Sequence, residues 1–237
     1  MVRRSLLTVT MLALVVAATA QNSSAKAYAI TGGQKGQSNW TEVRLIDLTT
    51  GAELQTIYSS SQTPQVFNAR TGKPIAITTD NNANVRTSTN LPFATFSAAC
   101  AYDSKHNRLY YTPMGINQLR YIDLGGKSAR IFYFEDEAFG QTANLQDEAN
   151  HITRMVIGAD GNGYALSNDG NHFMRFTTGK KPTIADLGNL VDDQSNGGVS
   201  IHNRCSSWGG DMIADAFGNL YLVSAKQAVF EINIGTR

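Results

Sequence analysis

A short motif recurs three times along this chain, and it limits the folds that the sequence can adopt. Each copy is a small apolar run that ends in Asp, a polar turn that leads to Tyr, and then a second apolar segment. The three Asp residues are Asp103, Asp160 and Asp215, which lie 57 and 55 residues apart. A period of this size is typical of solenoids and propellers, in which each repeat is one supersecondary unit. We therefore predict an all-β fold, a β-propeller made of four-stranded antiparallel blades.

The repeat that contains Asp160, which is the third blade of the array, indicates the four strands of one blade. Apolar segments bounded by turn residues predict strands at 153–159, 164–167, 173–177 and 183–187. An Asp-Gly-Asn-Gly turn between the first two strands supplies the positive φ values that a tight hairpin needs. No long helix is expected beyond the N-terminal segment, although short helical turns fit the long loops. Applied to the whole chain, the pattern places blades at about 27–62, 93–134, 152–190 and 209–237, with an insertion loop or hairpin at about 63–92.

The predicted array of blades is open at both ends. The first repeat lacks its innermost strand, and the last repeat stops where its outermost strand would begin. Propellers normally leave only short and protected strand edges. We therefore expect a C-terminally truncated array of about four blades, and the alternative is a closed ring of four.

Residues 1–20 have the pattern of a cleaved secretory signal. Arg3 and Arg4 precede an apolar run at 6–18, and a small-residue Ala-Thr-Ala sequence ends at Ala20. The apolar run is too short for a hydrocarbon core, which needs about 20 residues. We expect cleavage after Ala20 and a protein that is secreted or periplasmic, without a membrane span.

The charge of the chain argues against nucleic acid as a partner. The formal net charge is +1, and only 16% of the residues are charged. A basic surface on the scale that phosphate backbones require is therefore not expected. A protein or carbohydrate ligand fits this composition better.

The two cysteines leave two alternatives open. Cys100 falls in the first strand of one blade, and Cys205 falls in the loop that leads into a later blade. An oxidising compartment permits a disulfide, but the bond needs Cα atoms within about 7 Å. The pair forms either a disulfide or two separate thiols, with Cys100 buried in the second case.

The turn between the first two strands resembles that of a known group of proteins. The sequence Asp-Ala-Phe-Gly-Asn-Leu-Tyr at 215–221 is similar to the Asp-x-x-Gly-Asn-Leu-Tyr turn of secreted bacterial propellers with NHL-type or gluconolactonase-type repeats. Looser copies begin at Asp160 and Asp103, and the resemblance covers 96–234. Members of that group range from peptide or protein binders to metal-dependent lactone hydrolases. The resemblance thus implies a ligand surface around the channel, but the Glu, Asn and Asp set that holds the hydrolases' cation does not map onto matching positions here.

Functional side chains are expected in the loops that lead from one blade to the next, because these loops reach the mouth of the channel. Two such loops, 135–154 and 192–211, each carry an acidic pair, an adjacent Asn and His, and then an Arg. His exchanges protons or binds metal, and Arg donates in a planar fork to carboxylate or phosphate. Trp208 is expected to stack on a sugar ring or a peptide side chain, or else to pack on the neighbouring blade. The ligand-binding residues that we predict are His151, Arg154, His202, Arg204, Trp208 and Asp211.

Three functions fit this pattern. The favoured one is a secreted β-propeller whose loops bind a macromolecule or a small polar ligand, without a cofactor and without chemistry of its own. The second is a metal-dependent hydrolase of lactones or sugar-derived esters, in which a divalent cation in the channel polarises the carbonyl. The third is a structural repeat module of a larger surface protein. The sequence assigns no catalytic residue.

Overall fold

In the computed structural model of this protein, every long element is a β-strand. The structure describes residues 25–77, 91–140, 147–179, 181–226 and 228–236, so the predicted signal at 1–20 and part of the predicted insertion lie outside the described residues. The first nine strands are β1 Lys26–Thr31, β2 Glu42–Asp47, β3 Glu53–Tyr58, β4 Val66–Asn68, β5 Pro74–Ile75, β6 Ala99–Asp103, β7 Arg108–Thr112, β8 Arg120–Asp123 and β9 Arg130–Tyr133. The others are β10 Ile152–Ile157, β11 Asn162–Ser167, β12 Phe173–Thr177, β13 Ile184–Asp186, β14 Asp211–Ala214, β15 Leu220–Val223 and β16 Val229–Ile232.

Among the described residues, helical structure is confined to single turns in the two long loops. Glu148–Asn150 and Gln194–Asn196 each form one turn of 3₁₀ helix. None of the described residues is in an α-helix, and no described helix is long and apolar enough to cross a membrane. The expectation of short helical turns and no long helix is confirmed for this part of the chain.

The strands form four sheets in chain order. Strands β1 to β3, β10 to β13 and β14 to β16 each make one antiparallel sheet, and β6 to β9 make the main part of a six-stranded sheet. Apart from the pairing of β4 with β9, each paired strand lies beside its neighbour along the chain, as short turns require. The four strands predicted for the third repeat are confirmed to within two residues at each end.

The first strands of three successive sheets lie side by side. Strand β10 packs against both β6 and β14, while the later strands of each sheet pair outward from these. Buried apolar side chains fill the space between adjacent sheets in three clusters. This is the arrangement of β-propeller blades around an axis, so the predicted fold class is confirmed. The number of blades in a complete ring stays a prediction.

The repeated Asp closes the turn between the first two strands of a blade. Asp160 accepts a hydrogen bond from the backbone N–H of Asn162 at 3.0 Å and one from the Tyr164 hydroxyl at 2.7 Å. Asp215 likewise accepts from the backbone N–H of Asn219 at 2.9 Å. A short acceptor side chain that bonds its own backbone two or more residues on is a standard way to stabilise a turn. The motif therefore marks the fold and does not mark a reactive group.

The predicted insertion supplies a hairpin to the outer edge of the second sheet. Strand β4 pairs in parallel with β9, and β5 pairs with β4. Arg70, in the turn of this hairpin, forms ion pairs with Asp136 at 2.9 Å and Glu137 at 3.0 Å. Its guanidinium carbon lies 5.0 Å from the centroid of the Phe134 ring. These contacts fasten the hairpin to the segment that follows β9.

The two cysteines are separate thiols with different surroundings. Cys100 lies within β6, where burial raises the pKa of its thiol to about 12, and the charge of Asp211 acts in the same direction. Cys205 is exposed in the loop before β14. Of the two alternatives left by the sequence, the structure has the unpaired one.

This contrast predicts selective alkylation, because the thiolate is the reactive form of cysteine. In the native protein at about pH 8, we expect iodoacetamide to modify Cys205 and to leave Cys100 intact. Unfolding in urea is expected to make both thiols reactive. Peptide mass spectrometry measures the two sites separately, and equal rates in the native protein would contradict the buried environment of Cys100.

Candidate functional site

A cavity of about 760 Å³ opens where the innermost strands begin. Segments that lead into β6, β10 and β14 contribute to its wall, as does the loop between β1 and β2. All four sheets thus supply residues to one site, which we name the mouth cavity. Its lining is Ile30, Trp40, 95–98, Met114, Gly115, Glu148, His151, Thr153, Asn168, Arg204 and 208–210.

The mouth cavity brings together three of the six predicted ligand-binding residues. His151, Arg204 and Trp208 line it, although they come from two different loops. Arg154, His202 and Asp211 lie close by in sequence but are absent from its lining. The prediction that both long loops contribute to one polar rim agrees with the placement of His151, Arg204 and Trp208.

Arg204, Glu148 and Trp208 form one connected group on the wall. The guanidinium of Arg204 donates to Glu148 Oε2 at 2.6 Å, and both side chains are largely exposed. The Arg204 guanidinium carbon also lies 5.4 Å from the centroid of the Trp208 ring, within the range of a cation–π contact. The Trp208 indole donates from Nε1 to the backbone carbonyl of His202 at 3.1 Å. These contacts hold the aromatic ring and the charge pair in a fixed relation.

His202 is absent from the lining, but its ring contacts the backbone of two neighbouring segments. Its Nδ1 lies 2.5 Å from the carbonyl oxygen of Asp169, and its Nε2 lies 3.0 Å from that of Leu190. Both ring nitrogens are thereby directed at backbone oxygens. His202 consequently positions the loop that carries Trp208, and its ring is not directed at a ligand.

His151 lines the mouth cavity and carries a hydrogen-bonding atom that has no partner among the described residues. This atom is Nε2, and it is buried. Burial lowers the pKa of the His151 ring, although the charges of Glu148 and Asp147 act in the opposite direction. The folded protein therefore favours the neutral ring, which carries one donor nitrogen and one acceptor nitrogen.

This lowered pKa predicts a loss of stability in mild acid. In the unfolded chain a His ring takes up a proton near pH 6.5, whereas the folded protein keeps His151 neutral to a lower pH. The unfolded state therefore binds more protons just below that pH, and stability falls as the pH decreases. We expect the melting temperature to fall less between roughly pH 7.5 and 5.5 in a His151→Gln variant than in the parent protein. An identical fall in both proteins would show that His151 does not titrate differently on folding.

Arg154 is fully buried beneath the cavity and does not reach it. The guanidinium donates from one terminal nitrogen to the carbonyl of Ser207 at 3.3 Å and from the other to the carbonyl of Ser167. Burial lowers the pKa of Arg154 to about 10, partly offset by the charges of Asp169 and Asp211. The sequence predicted a donor at the rim of the channel. In the structure, Arg154 instead joins two blades through these carbonyls.

Asp211 begins β14 and is exposed as a residue. Partial burial of its carboxyl raises the pKa of this group, against the effect of backbone N–H donors from Met212 and Met155 and of the charge of Arg154. Its Oδ1 accepts from the Met212 N–H at 2.8 Å. Asp211 lies outside the lining of the mouth cavity.

The glycine pair after Trp208 is required by close packing. Gly210 has a φ of +84°, and a Cβ at this position would lie 1.9 Å from the carbonyl oxygen of Val223. A side chain there would collide with β15, so only glycine allows the loop to approach it.

Sequence reasoning missed Trp40, which lines the cavity from the loop between β1 and β2. Its ring is 41% exposed. The chain contains only two tryptophans, and both line this one site. That scarcity is the signal that could have singled out Trp40. Its position in the lining depends on the packing of the first sheet, which the sequence does not specify.

The described residues contain no group of three or more His, Cys, Asp or Glu side chains with the arrangement of a metal site.

Comparison with known proteins identifies only structural neighbours. No protein-family model and no curated protein matches the chain. A virginiamycin B lyase from Staphylococcus aureus is 13% identical with a TM-score of 0.38, over 92% of this chain and 66% of its own. A streptogramin B lyase is 10% identical with a TM-score of 0.37, over 83% of this chain and 63% of its own. A quinonprotein alcohol dehydrogenase-like protein from Bacteroides thetaiotaomicron is 13% identical with a TM-score of 0.39, over 90% of this chain and 50% of its own.

These neighbours are β-propeller proteins. The chain spans less than two thirds of the length of each of the three structures. Similarity at this level transfers no substrate or reaction to this protein.

Proposed function

We propose that this protein is a secreted or periplasmic β-propeller module that binds a small polar ligand, or a short segment of a macromolecule, in the mouth cavity. The observation that carries the proposal is the convergence of both tryptophans and His151, whose Nε2 has no partner among the described residues, in the lining of one cavity. Ligand sites characteristically combine an aromatic or apolar lining with a few convergent polar groups. The export signal that the sequence predicts at 1–20 supports the proposed location.

The volume and composition of the cavity support the same proposal. A value near 760 Å³ lies within the range of small-molecule sites, which is about 300–1,000 Å³. The apolar side chains include Ile30 and Met114, and hydroxyl or amide groups come from Thr95 and Asn168. No covalent step is needed to explain this arrangement. Binding is therefore the function that the geometry favours.

The proposal is tested by ligand-induced stabilisation. We expect at least one class in a panel of saccharides, nucleosides, amino acids and short peptides to raise the melting temperature, since a ligand well above its Kd stabilises the folded state. Because both tryptophans line the site, the same ligand should change the intrinsic fluorescence. Trp208→Phe and His151→Gln should weaken both signals.

His106→Gln is the matched control, because His106 lies in the turn at the far end of β6 from the cavity. Its binding should equal that of the parent protein. A panel in which no class changes either signal would overturn the proposal. A stabilisation that appears with Ca²⁺, Mg²⁺ or Zn²⁺ and is removed by chelation would instead favour the metal-dependent hydrolase.

A further inference from the structure

The ligand class can be narrowed from the charges of the mouth cavity. Glu148 and Arg204 are the two oppositely charged side chains of the wall, and they neutralise each other through a 2.6 Å contact. His151 favours its neutral form. The lining therefore has no excess charge of either sign, and a charged ligand would have to break the existing pair. Building on the proposed function, we propose that the cavity binds a neutral carbohydrate.

The polar groups of the wall suit hydroxyl groups in particular. Glu148 offers only acceptors, Arg204 offers only donors, and the neutral His151 ring offers one of each. A sugar hydroxyl donates and accepts at once, so it can pair with the neutral His151 ring in either tautomer. It can also bridge between the carboxylate and the guanidinium without separating them. An anionic group would meet the carboxylate of Glu148 unfavourably.

The aromatic groups supply the apolar part of the site. Trp208 is restrained, because Arg204 lies over its ring and its Nε1 is bonded to the carbonyl of His202. Trp40 keeps 41% of its surface exposed within the same lining. We assign Trp40 as the surface on which the C–H face of a sugar ring packs. Hydroxyls at the edge of the ring then reach Glu148 and His151.

Single-tryptophan variants give a direct readout of this arrangement. In Trp208→Phe only Trp40 emits, and in Trp40→Phe only Trp208 emits. The probes are glucose, galactose, mannose, maltose and cellobiose, with glucuronate and galacturonate as charged counterparts and adenosine and trialanine as other classes. We expect a neutral saccharide to change the emission of Trp40 in Trp208→Phe. Its uronate counterpart should bind about tenfold or more weakly, as expected from about 1.4 kcal/mol of lost interaction.

Substitutions in the polar wall separate the carbohydrate class from binding in general. Glu148→Gln and His151→Gln should each weaken the neutral saccharide about tenfold, while His106→Gln should not. Preferential binding of a uronate, adenosine or trialanine at the same tryptophans would overturn the carbohydrate assignment and leave the proposed binding function intact. Absence of saccharide binding at millimolar concentration would also overturn the assignment. Failure of the proposed function itself differs from these results, because no class of probe would then change either signal.

Discussion

Replacement of Phe176 by alanine is expected to lower the free energy of unfolding by about 3–5 kcal/mol. Phe176 lies in β12 and is fully buried between the second and third sheets. Its ring centroid is 5.0 Å from that of Tyr110 and 5.7 Å from that of Phe139. The substitution removes both aromatic contacts and leaves a cavity that the paired strands around it cannot close.

Urea unfolding, followed by circular dichroism, measures this loss. Phe217→Ala is the matched control, because Phe217 is 93% exposed in the turn after β14 and should change stability by less than about 0.5 kcal/mol. For a protein of this size the Phe176 variant should melt about 10 °C lower. Equal melting temperatures for the two variants would show that the packing between these sheets does not determine stability.

Gly163 provides a second test of the same contact. A Cβ added to Gly163 would lie 1.9 Å from the Cζ atom of Phe176, so Gly163→Ala alone should be destabilising by about 1–3 kcal/mol. When Phe176 is already alanine, the added methyl group enters the vacated space. The two substitutions should therefore not be additive, with an interaction energy of at least about 0.5 kcal/mol in a double-mutant cycle. Additive effects would contradict the contact between the two positions.

The strands and turns of this fold could be predicted because their signals are local. The Asp160 turn, for example, is closed by bonds to residues two and four positions further along the chain. The sheet pairing follows the order of the sequence, so each turn also specifies which strands pair. The parallel pairing of β4 with β9 joins distant segments, and no local pattern indicates it.

The site was predictable only in part, for a geometric reason. Successive side chains of a strand point to opposite faces. In β10 this alternation is interrupted by a shift of register against β11 between Ile152 and Arg154, and there Thr153 lines the mouth cavity whereas Arg154 is absent from its lining. The sequence placed Arg154 in the correct loop and strand, but the face depends on register. Trp40 was missed for a different reason, since only tertiary packing brings the first sheet to the cavity.

Arg154→Ala is expected to destabilise the protein by about 2–4 kcal/mol. The guanidinium donates to the carbonyls of Ser167 and Ser207, and buried carbonyls that lose their donor cost about 1–3 kcal/mol each. The substitution also removes the free-energy cost of burying a charge, the same cost that lowers the pKa of Arg154. This gain offsets part of the loss in stability. Arg175→Ala is the control on the same sheet, because Arg175 in β12 is exposed and should change stability by less than about 0.5 kcal/mol.

The same substitution should also loosen the wall of the mouth cavity, because Ser207 directly precedes Trp208. In a Trp40→Phe background, where Trp208 is the only emitter, we expect Arg154→Ala to increase quenching by iodide under conditions in which the protein remains folded. Arg154→Lys should give an intermediate result, since one ammonium group does not reproduce the planar fork that joins two carbonyls. If quenching were the same with Arg, Lys and Ala at this position, the guanidinium would not position the tryptophan. A graded increase would show that a buried arginine outside the lining of the site maintains the surface on which a ligand binds.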